Sequence, residues 1–265
     1  MGPEPDLPVD APVSVEDLLD TGRMREELEI ARRIQRAFLP KAPPGLHGFE
    51  IAGWNEPCRE TGGDYYDYLR LPGGRLGLAI GDVSGHGIGP ALLMASARSA
   101  LRALLQVDDS PGDVLGRLND VLVGDMLEDH FMTMFVAVLD LSTNRLRYAV
   151  AGHERPLLLR AGADDFTTLD APGMPLGIAP GLNYPEGDVV RLRRGDLLTF
   201  LTDGLWEATD AAGDEFGYPR LKDVLRANRR ASAHGIVAAV RNSTADFVGD
   251  TRQTDDLTLM VLRVV

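Results

Sequence analysis

Residues 81–87 read GDVSGHG and separate two apolar segments of different length. Residues 76–80 form a short apolar run of strand length, and residues 88–106 have the length and the alanine and leucine content of a packed helix. A glycine-rich turn at this junction holds the carboxylate of Asp82 at the end of a buried strand, within reach of solvent. The chain is therefore expected to fold around a strand whose end carries an acid.

Three further acidic turns share this character. They are Gly62-Gly63-Asp64, Thr202-Asp203-Gly204 and Asp255-Asp256-Leu257-Thr258. Any one of them alone would be an ordinary turn. However, Asp203 follows an apolar run as Asp82 does, and Asp255 comes just before one. If these strand ends lie side by side, their carboxylates form one acidic site.

Such a site suits hard divalent cations. Mg²⁺ and Mn²⁺ prefer carboxylate, carbonyl and water oxygens, and short aspartates on sharply turning backbone supply them. Two ions about 3.5–4 Å apart can activate a water and neutralise a phosphoryl group. Four clustered carboxylates without metal would repel one another and raise their pKa values. The four turns therefore predict a two-metal site that hydrolyses a phosphoester.

The order of the remaining segments indicates antiparallel sheets. Two hairpins are predicted, around Pro72-Gly73-Gly74 and Ser142-Thr143-Asn144. Further strands follow, and helices are predicted over residues 88–106, 110–127, 218–228 and 233–247, before a closing strand at 257–264. Helices grouped between runs of strands favour a layered α+β domain over a parallel α/β sheet. Neither a GxGxxG nor a GxxxxGK[ST] motif occurs, so a nucleotide-binding loop is not predicted.

The N-terminal region is predicted to be a tail followed by a helix. Residues 1–12 are rich in proline and acid and are expected to be disordered. Residues 13–42 contain an apolar stripe at helical spacing, with an interruption expected at Thr21-Gly22 and an end before Pro40. The stripe is formed by Met24, Leu28, Ala31, Ile34 and Phe38. It either packs on its own domain, residues 45–265, or forms a dimerising or signal-carrying helix.

Charge and composition limit the classes of ligand and the cellular compartment that we expect for this chain. A net charge of −13 disfavours broad nucleic-acid binding. A single cysteine, Cys58, excludes an intramolecular disulfide and is consistent with a reducing compartment. The N-terminus lacks the pattern of a signal peptide, and no apolar run approaches the ~20 residues that span a bilayer. We expect a cytoplasmic protein without a membrane segment.

Six ordered motifs resemble those of the PPM-type (protein phosphatase 2C-like) serine/threonine phosphatases, most closely the bacterial SpoIIE/RsbU-like branch. They are Gly62–Asp67 (GGDYYD), Gly81–Gly87 (GDVSGHG), Ala151-Gly152-His153, Pro175-Leu176-Gly177-Ile178, Thr202–Ala208 (TDGLWEA) and Asp255-Asp256-Leu257-Thr258. Residues 34–40 (IQRAFLP) also match the helix end that precedes this domain. The resemblance covers roughly residues 30–265.

The resemblance implies two antiparallel β-sheets forming a sandwich flanked by helices, with the metal site at one end. Asp82 would bridge two Mn²⁺ or Mg²⁺ ions, and the backbone carbonyl of Val83 would bind one of them. Asp203 and Asp255 would bind the other, while Asp64 would hold a water or ligate directly. Within its pair, Asp256 is the weaker choice. The implied substrate is a phosphoserine or phosphothreonine protein, in this branch often an anti-sigma-factor antagonist.

Several nearby side chains remain open to two interpretations. Relatives place a proposed general acid where this chain has Ser84, so His86 is either that acid or a structural neighbour of the site. His153 is interpreted as structural. Arg59 either binds the substrate phosphate or is an ordinary exposed arginine. Cys58 is expected to be packed, because a two-metal site needs no covalent nucleophile.

Two other functions compete with a regulated phosphatase. A phosphatase fold acting as a dormant sensor or scaffold would be expected to lack some carboxylates, and here Asp64, Asp82, Asp203 and Asp255 are all present. A metallohydrolase acting on a small phosphoester is poorly distinguished by sequence. If the N-terminal helix biases the active site or mediates a homodimer, activity in isolation should be low.

Overall fold

The computed structural model describes residues 15–41, 45–108, 110–126 and 130–265, with side chains of the first helix described from residue 22. The helices in this part of the chain are α1 (Val15–Phe38), α2 (Ile88–Val107), α3 (Pro111–Leu122), α4 (Asp203–Glu207), α5 (Gly217–Asn228) and α6 (Ala233–Val248). The strands are β1 (Phe49–Glu56), β2 (Tyr65–Leu71), β3 (Arg75–Val83), β4 (Met132–Asp140), β5 (Arg145–Ala151), β6 (Leu157–Leu159), β7 (Phe166–Thr168), β8 (Val190–Arg191), β9 (Leu197–Leu201) and β10 (Leu257–Val264).

The strands form two five-stranded sheets. One sheet has the order β1-β10-β9-β6-β7 and the other has the order β2-β3-β4-β5-β8. All strand pairs within them are antiparallel. Both predicted hairpins are present, as β2–β3 and β4–β5. The antiparallel sandwich expected from the sequence is therefore confirmed.

Three apolar clusters hold four layers together. The central cluster lies between the sheets and includes stacked Phe135 and Tyr148, whose ring centroids are 5.4 Å apart. A second cluster joins β2–β5 to α2 and α3, and a third joins the other sheet to α5 and α6. The order of layers is helices, sheet, sheet, helices, because each sheet alternates side chains between the central cluster and its own helices.

This alternation sends polar side chains to one end of the central cluster. On β3 the inward residues are Leu76, Leu78 and Ile80, so the next inward position is Asp82. On the neighbouring strands, every second residue also faces the central cluster, and the inward positions just beyond its apolar part are polar. They are Asp64 before β2, Thr202 after β9, and Thr258 and Asp256 at the start of β10. The acidic turns therefore cap the space between the two sheets.

Helix α1 differs from its prediction in two ways. It runs without interruption through Gly22, although an interruption was expected there. Its apolar stripe is also poorly buried: Met24 and Ile34 are 63% and 52% exposed, whereas the polar Gln35 is buried. The helix therefore contacts the domain mainly through its last two turns. The predicted tail, residues 1–12, lies outside the described residues.

Other boundaries also differ. Helix α3 was expected to continue towards residue 127 but ends at Leu122, just before Gly124, and residues 127–129 lie outside the described part. The short elements β7 and α4 were not predicted. Helix α2 has the length and hydropathy of a membrane span, contrary to the expectation that no segment would. Its buried side chains, including Met94 and Leu101, pack on the sheet, as in the core helix of a globular domain.

Candidate metal centre

Asp82 lies at the centre of the acidic group. It is half-buried at the end of β3, opposite Thr133 of β4. Burial is the largest cause that raises the pKa of its carboxyl group, to about 8, and three neighbouring carboxylates contribute. These belong to Asp203, Asp255 and Asp256. The structure thus brings together the turns that sequence could only propose to be neighbours.

Asp64 is the most enclosed of the acids. It is 4% exposed, and its Oδ2 accepts hydrogen bonds from the hydroxyls of Thr202, at 2.8 Å, and Thr258. Burial raises the pKa of Asp64 well above its usual range, and Asp82 adds to this, while the two hydroxyls lower it. One carboxylate oxygen is therefore held in place by the opposite sheet, and the group lies close enough to Asp82 to interact with it.

Asp256 has a different role from its neighbours. Its Oδ1 accepts the backbone N–H of Cys58, and its Oδ2 accepts that of Gly63, both at 2.8 Å. A β-carbon added to Gly62 would lie 1.9 Å from Asp256 Oδ2, so this close approach requires glycine. Asp256 therefore holds the loop that carries Asp64. Sequence reasoning ranked it second within its pair but missed this function, for which the paired glycines were the only signal.

Asp203 and Asp255 are positioned by two turns in contact. Asp203 is the first residue of α4, and a β-carbon on the following Gly204 would lie 2.3 Å from the carbonyl oxygen of Asp256. Burial is the largest cause that raises the pKa of Asp255, and the backbone N–H of Asp256, donating to it at 2.8 Å, opposes this. Asp203 raises that pKa further. The two acids thus form a pair facing Asp82.

The carbonyl group of Val83 also lies at this site. The Val83 N–H donates to the carbonyl of Gly63 at 3.3 Å. A β-carbon on Gly63 would lie 2.4 Å from Val83 O and 3.1 Å from Asp82 Oδ1. The loop before β2 is therefore pressed against the end of β3, and only glycine permits the approach.

Arg59 and His86 occupy the solvent side. Both are exposed, and Arg59 Nη2 lies 3.4 Å from His86 Nε2. Proximity to His86 lowers the pKa of Asp255, so the imidazole lies near the carboxylates. His86 is therefore at the mouth of the site rather than within a packed core. Cys58 is half-buried, and burial together with Asp256 raises the pKa of its thiol to about 11, so it is a poor nucleophile.

His153 connects the two sheets below the acids. Its Nδ1 lies 2.8 Å from the hydroxyl of Thr133, the partner of Asp82, and it also contacts the backbone of Leu201, two residues before Asp203. Burial lowers the pKa of this imidazole to about 3. A neutral histidine thus braces the strand ends that carry two of the acids, in agreement with a structural role.

The donor set fits hard divalent cations. Within the described ranges, no three His, Cys, Asp or Glu side chains already stand in a metal-ligating arrangement. Neighbouring carboxylates nevertheless raise the pKa of Asp82 and of Asp64, in addition to the effect of burial, and the Val83 carbonyl lies beside them. Cations would relieve this repulsion, and oxygen is the donor that Mg²⁺ and Mn²⁺ prefer.

Helix α1 reaches the same loop. The side-chain amide of Gln35 donates to Gly62 O at 2.6 Å and accepts from Gly62 N at 3.1 Å. Arg98 of α2 donates to Phe38 O at 2.9 Å and stacks over the Phe38 ring. The end of α1 is therefore joined to the backbone two residues before Asp64.

Comparisons with known proteins agree with this geometry. Residues 72–265, which contain Asp82, Asp203 and Asp255, match the family described as Stage II sporulation protein E (SpoIIE). The chain is 30% identical over 240 residues to the phosphoserine phosphatase RsbU of Bacillus subtilis (strain 168), covering 91% of this chain and 70% of RsbU. It is 29% identical to the phosphoserine phosphatase RsbP of the same organism, over 70% of this chain and 46% of RsbP.

A solved structure shows the same fold. The SiaA-PP2C domain of Pseudomonas aeruginosa superposes with a TM-score of 0.81 at 24% identity, covering 93% of this chain and 99% of that domain. The sandwich, the acidic turns at its end and the family match lead to one assignment. The chain belongs to the SpoIIE family of PP2C-type serine/threonine protein phosphatases, whose catalysis depends on metal ions.

Proposed function

We propose that this chain removes phosphate from phosphoserine or phosphothreonine on a regulatory protein, using two Mn²⁺ or Mg²⁺ ions. The observation that carries the proposal is the convergence of carboxylates on Asp82 at the open end of the sandwich, where burial together with Asp203, Asp255 and Asp256 raises the pKa of Asp82 to about 8. A cluster of this kind is costly to maintain without a cation. Four acids from four separate turns are hard to explain as turn chemistry alone.

The residues divide between two ions. Asp82 is central and would contact both, and the carbonyl of Val83 would add a ligand to one. Asp203 and Asp255 would hold the second ion, and Asp64 would complete the set. When bound, the ions would activate a water for attack on phosphorus and neutralise charge on the phosphoryl oxygens.

The chain's own groups would orient the substrate. Arg59 lies at the mouth beside His86, where a guanidinium can hold two phosphoryl oxygens at once. His86 is exposed beside Arg59 and would give a proton to the leaving serine oxygen. Thr202 and Thr258 hold Oδ2 of Asp64 in place, and the carboxylate lies close enough to Asp82 to interact with it.

The substrate class is inferred from similarity. RsbU and RsbP carry the name phosphoserine phosphatase, and the family resemblance points to a phosphorylated anti-sigma-factor antagonist. We therefore propose that such a protein, or a similar phosphoprotein, is the partner of this chain, and that the reaction contributes to sigma-factor regulation.

We also propose that residues 13–42 regulate the phosphatase domain, residues 45–265. Helix α1 contacts the loop before Asp64 through Gln35 and leaves Met24, Ile30 and Ile34 exposed. An exposed apolar stripe on a 24-residue helix is suited to pairing with a second copy. Formation of a homodimer would then change the position of α1, and α1 would in turn change the position of the loop before Asp64.

The test is phosphate release from a serine-phosphorylated anti-sigma-factor antagonist and, in parallel, from p-nitrophenyl phosphate. Each is measured with Mn²⁺ and with EDTA for wild type, Asp82→Asn and the control Asp188→Asn, an exposed acid away from the site. Release should require both metal and Asp82. Full activity of Asp82→Asn would refute the mechanism, and metal binding without turnover of either compound would favour a dormant scaffold.

A further inference from the structure

Three arginines lie together on the sheet that contains β3, at the end opposite to the acids. Arg145 is the first residue of β5 and lies directly across from Arg191 of β8 in the antiparallel register. The pairing continues past β8, because the Leu192 N–H donates to the carbonyl of Asn144 at 2.9 Å. Arg193 is therefore the next residue on the same face as Arg191. We call Arg145, Arg191 and Arg193 the arginine patch.

The register brings the three side chains of the patch close to one another. Directly opposite residues of an antiparallel pair have β-carbons about 4.5–5.5 Å apart, and diagonal neighbours are about 7–8 Å apart. Arg191 is the direct neighbour of Arg145, and Arg193 is its diagonal neighbour. Leu146 and Leu192 face the central apolar cluster, so the arginines alternate to the other face of the sheet. All three arginines are exposed there.

The charges of the patch have no partners of their own. Within the described ranges, none of its three guanidinium groups forms an ion pair or a hydrogen bond with another side chain. Nearby arginines do have such partners: Arg147 lies 2.7 Å from Glu186, and Arg160 lies 2.7 Å from Asp196. Like charges directly opposite each other in a sheet are destabilising. The pair of Arg145 and Arg191 therefore costs the fold some stability without a compensating contact.

The acids beside the patch do not cancel its charge. Asp140 lies opposite Arg145 on β4, and its Oδ1 accepts three hydrogen bonds within its own turn. Asp188 is exposed shortly before β8. Two further arginines adjoin the patch, since Arg75 lies opposite Asp140 on β3 and Arg194 directly follows the patch in sequence. Positive charge is therefore in excess here, although the net charge of the chain is −13.

The patch is well separated from the metal centre. Arg75 is at the same level of the sheet as Arg145, because both lie opposite Asp140. Asp82 is seven positions further along β3. Antiparallel strands rise about 3.4 Å per residue, so roughly 24 Å of strand separates the two levels. A molecule held at the patch can therefore leave the open end of the sandwich accessible.

We propose that the arginine patch binds an acidic segment of a partner protein and holds that partner while the metal centre stays open to substrate. Guanidinium groups bind carboxylates through two parallel hydrogen bonds, and clusters of arginines recognise acidic segments of proteins in this way. The proposal does not depend on the phosphatase reaction, because none of the three arginines belongs to the acidic centre.

The small size of the patch favours a protein segment over other anions. A nucleic acid or an anionic membrane carries negative charge over a surface much wider than the ~8 Å between neighbouring arginines. Beyond the patch, such a surface would meet a chain whose net charge is −13 and would be repelled. A short acidic segment covers the patch alone and avoids this repulsion.

The test measures binding of fluorescein-labelled octaglutamate to the full chain by fluorescence anisotropy at low salt, with octaglutamine as the uncharged reference. Octaglutamate should bind and octaglutamine should not. Arg145→Gln and Arg191→Gln should each weaken binding about tenfold, because each removes a charge-assisted contact. Arg191→Lys should recover only part of the loss, since an ammonium cannot form the two parallel bonds of a guanidinium.

Arg33→Gln is the matched control. It removes an exposed arginine from a different group, Arg32, Arg33 and Arg36 of α1, which lies beside Glu29. This variant should bind octaglutamate as wild type does. Absence of binding to wild type, or a loss of binding in Arg33→Gln but not in Arg191→Gln, would overturn the proposal.

Two further measurements exclude other roles for the patch. Removing one of two opposed positive charges should leave the melting temperature of Arg191→Gln equal to or above that of wild type, with unchanged hydrolysis of p-nitrophenyl phosphate. A lower melting temperature with wild-type binding of octaglutamate would assign the patch a structural role and overturn the proposal. It would also be overturned if Arg191→Gln abolished binding to phosphatidylglycerol vesicles or duplex DNA, or dissociated a dimer seen in analytical ultracentrifugation of wild type.

Discussion

Gln35 and Gly62 are joined by two hydrogen bonds between one side-chain amide and one backbone residue, at 2.6 and 3.1 Å. They are 27 positions apart in sequence. Gln35 is 8% exposed although it belongs to a helix whose neighbouring side chains are largely in solvent. Because Gly62 precedes Asp64 by two residues, the position of α1 and the position of that acid are mechanically linked.

Replacing Gln35 with alanine should therefore weaken the centre from a distance. Two buried backbone groups of Gly62 would lose their partners, at a cost of about 1–3 kcal/mol, and the loop carrying Asp64 would loosen. We expect Mn²⁺-dependent hydrolysis of p-nitrophenyl phosphate to fall about five- to tenfold. Arg33→Ala, at an exposed position two residues earlier in the same helix, is the control. Wild-type turnover in Gln35→Ala, or in a folded chain lacking residues 1–42, would argue against the link.

The hydroxyls that hold Asp64 give a second prediction. Thr202→Val or Thr258→Val removes a donor that lowers the pKa of Asp64, so that pKa should rise further and protons should compete better with metal. We expect Mn²⁺ affinity at pH 7, measured by calorimetry, to fall about tenfold or more. Thr199→Val is a matched control on β9, the strand that leads to Thr202, because the buried Thr199 hydroxyl has no hydrogen-bond partner among the described residues. Equal affinity in all three variants would contradict the prediction.

Sequence predicted the regular parts of this fold well. The hairpins β2–β3 and β4–β5 and the helices α2, α5 and α6 were recognisable because their apolar periods and turn residues agree with the tertiary structure. Helix α4 and strand β7 were not, since each is too short to show a period and forms through contacts with distant segments. The continuity of α1 through Gly22 was also missed, because one glycine costs a helix only about 1 kcal/mol.

The same reasoning identified the acidic residues but not the separate function of each one. Asp255 and Asp256 are adjacent, and only the structure shows that Asp256 binds backbone N–H groups of the loop before β2. Gln35 belongs to the matched segment 34–40, but its bonds to Gly62 were not foreseen, because a glutamine next to an apolar stripe has the pattern of a surface residue. A hydrogen bond between a side chain and a distant backbone group produces no periodic pattern in the sequence, so periodicity cannot predict it.

His153 predicts a pH dependence of stability. Burial lowers the pKa of His153 to about 3, against an ordinary value of 6.5. Between these two pH values the unfolded chain binds a proton at this imidazole and the folded chain does not. Stability from this group is therefore present above pH 6.5 and lost as pH falls towards 3, at up to about 1.4 kcal/mol per pH unit. Between pH 7 and pH 5, His153→Gln should lose less stability in urea than wild type, by about 2 kcal/mol. His234→Gln, exposed on α6, is the control, and parallel curves for all three proteins would refute the assignment.

Metal binding should stabilise the folded chain, and this stabilisation should require both Asp203 and Asp255. A ligand that binds only the folded state adds about 2.7 kcal/mol at one hundred times its Kd. We expect Mn²⁺ to raise the melting temperature of wild type and of Asp188→Asn by several degrees, and EDTA to reverse this. Asp203→Asn and Asp255→Asn should show little or no shift. An undiminished shift in either variant would remove that residue from the ligand set.

Arg59 should act on substrate rather than on metal. It lies at the mouth, 3.4 Å from His86, and makes no hydrogen bond to Asp82, Asp203 or Asp255 within the described residues. A charge-assisted bond to phosphate contributes about 1.5–3 kcal/mol, so Arg59→Ala should raise KM for a phosphoserine peptide at least tenfold while Mn²⁺ affinity stays as in wild type. Arg59→Lys should recover only part of this, since an ammonium cannot contact two phosphoryl oxygens in the planar geometry of a guanidinium. Arg230→Ala, another exposed arginine, controls for the loss of one positive charge. If KM is unchanged in Arg59→Ala, the guanidinium is only an ordinary exposed group, and phosphate must be oriented by the metal ions alone.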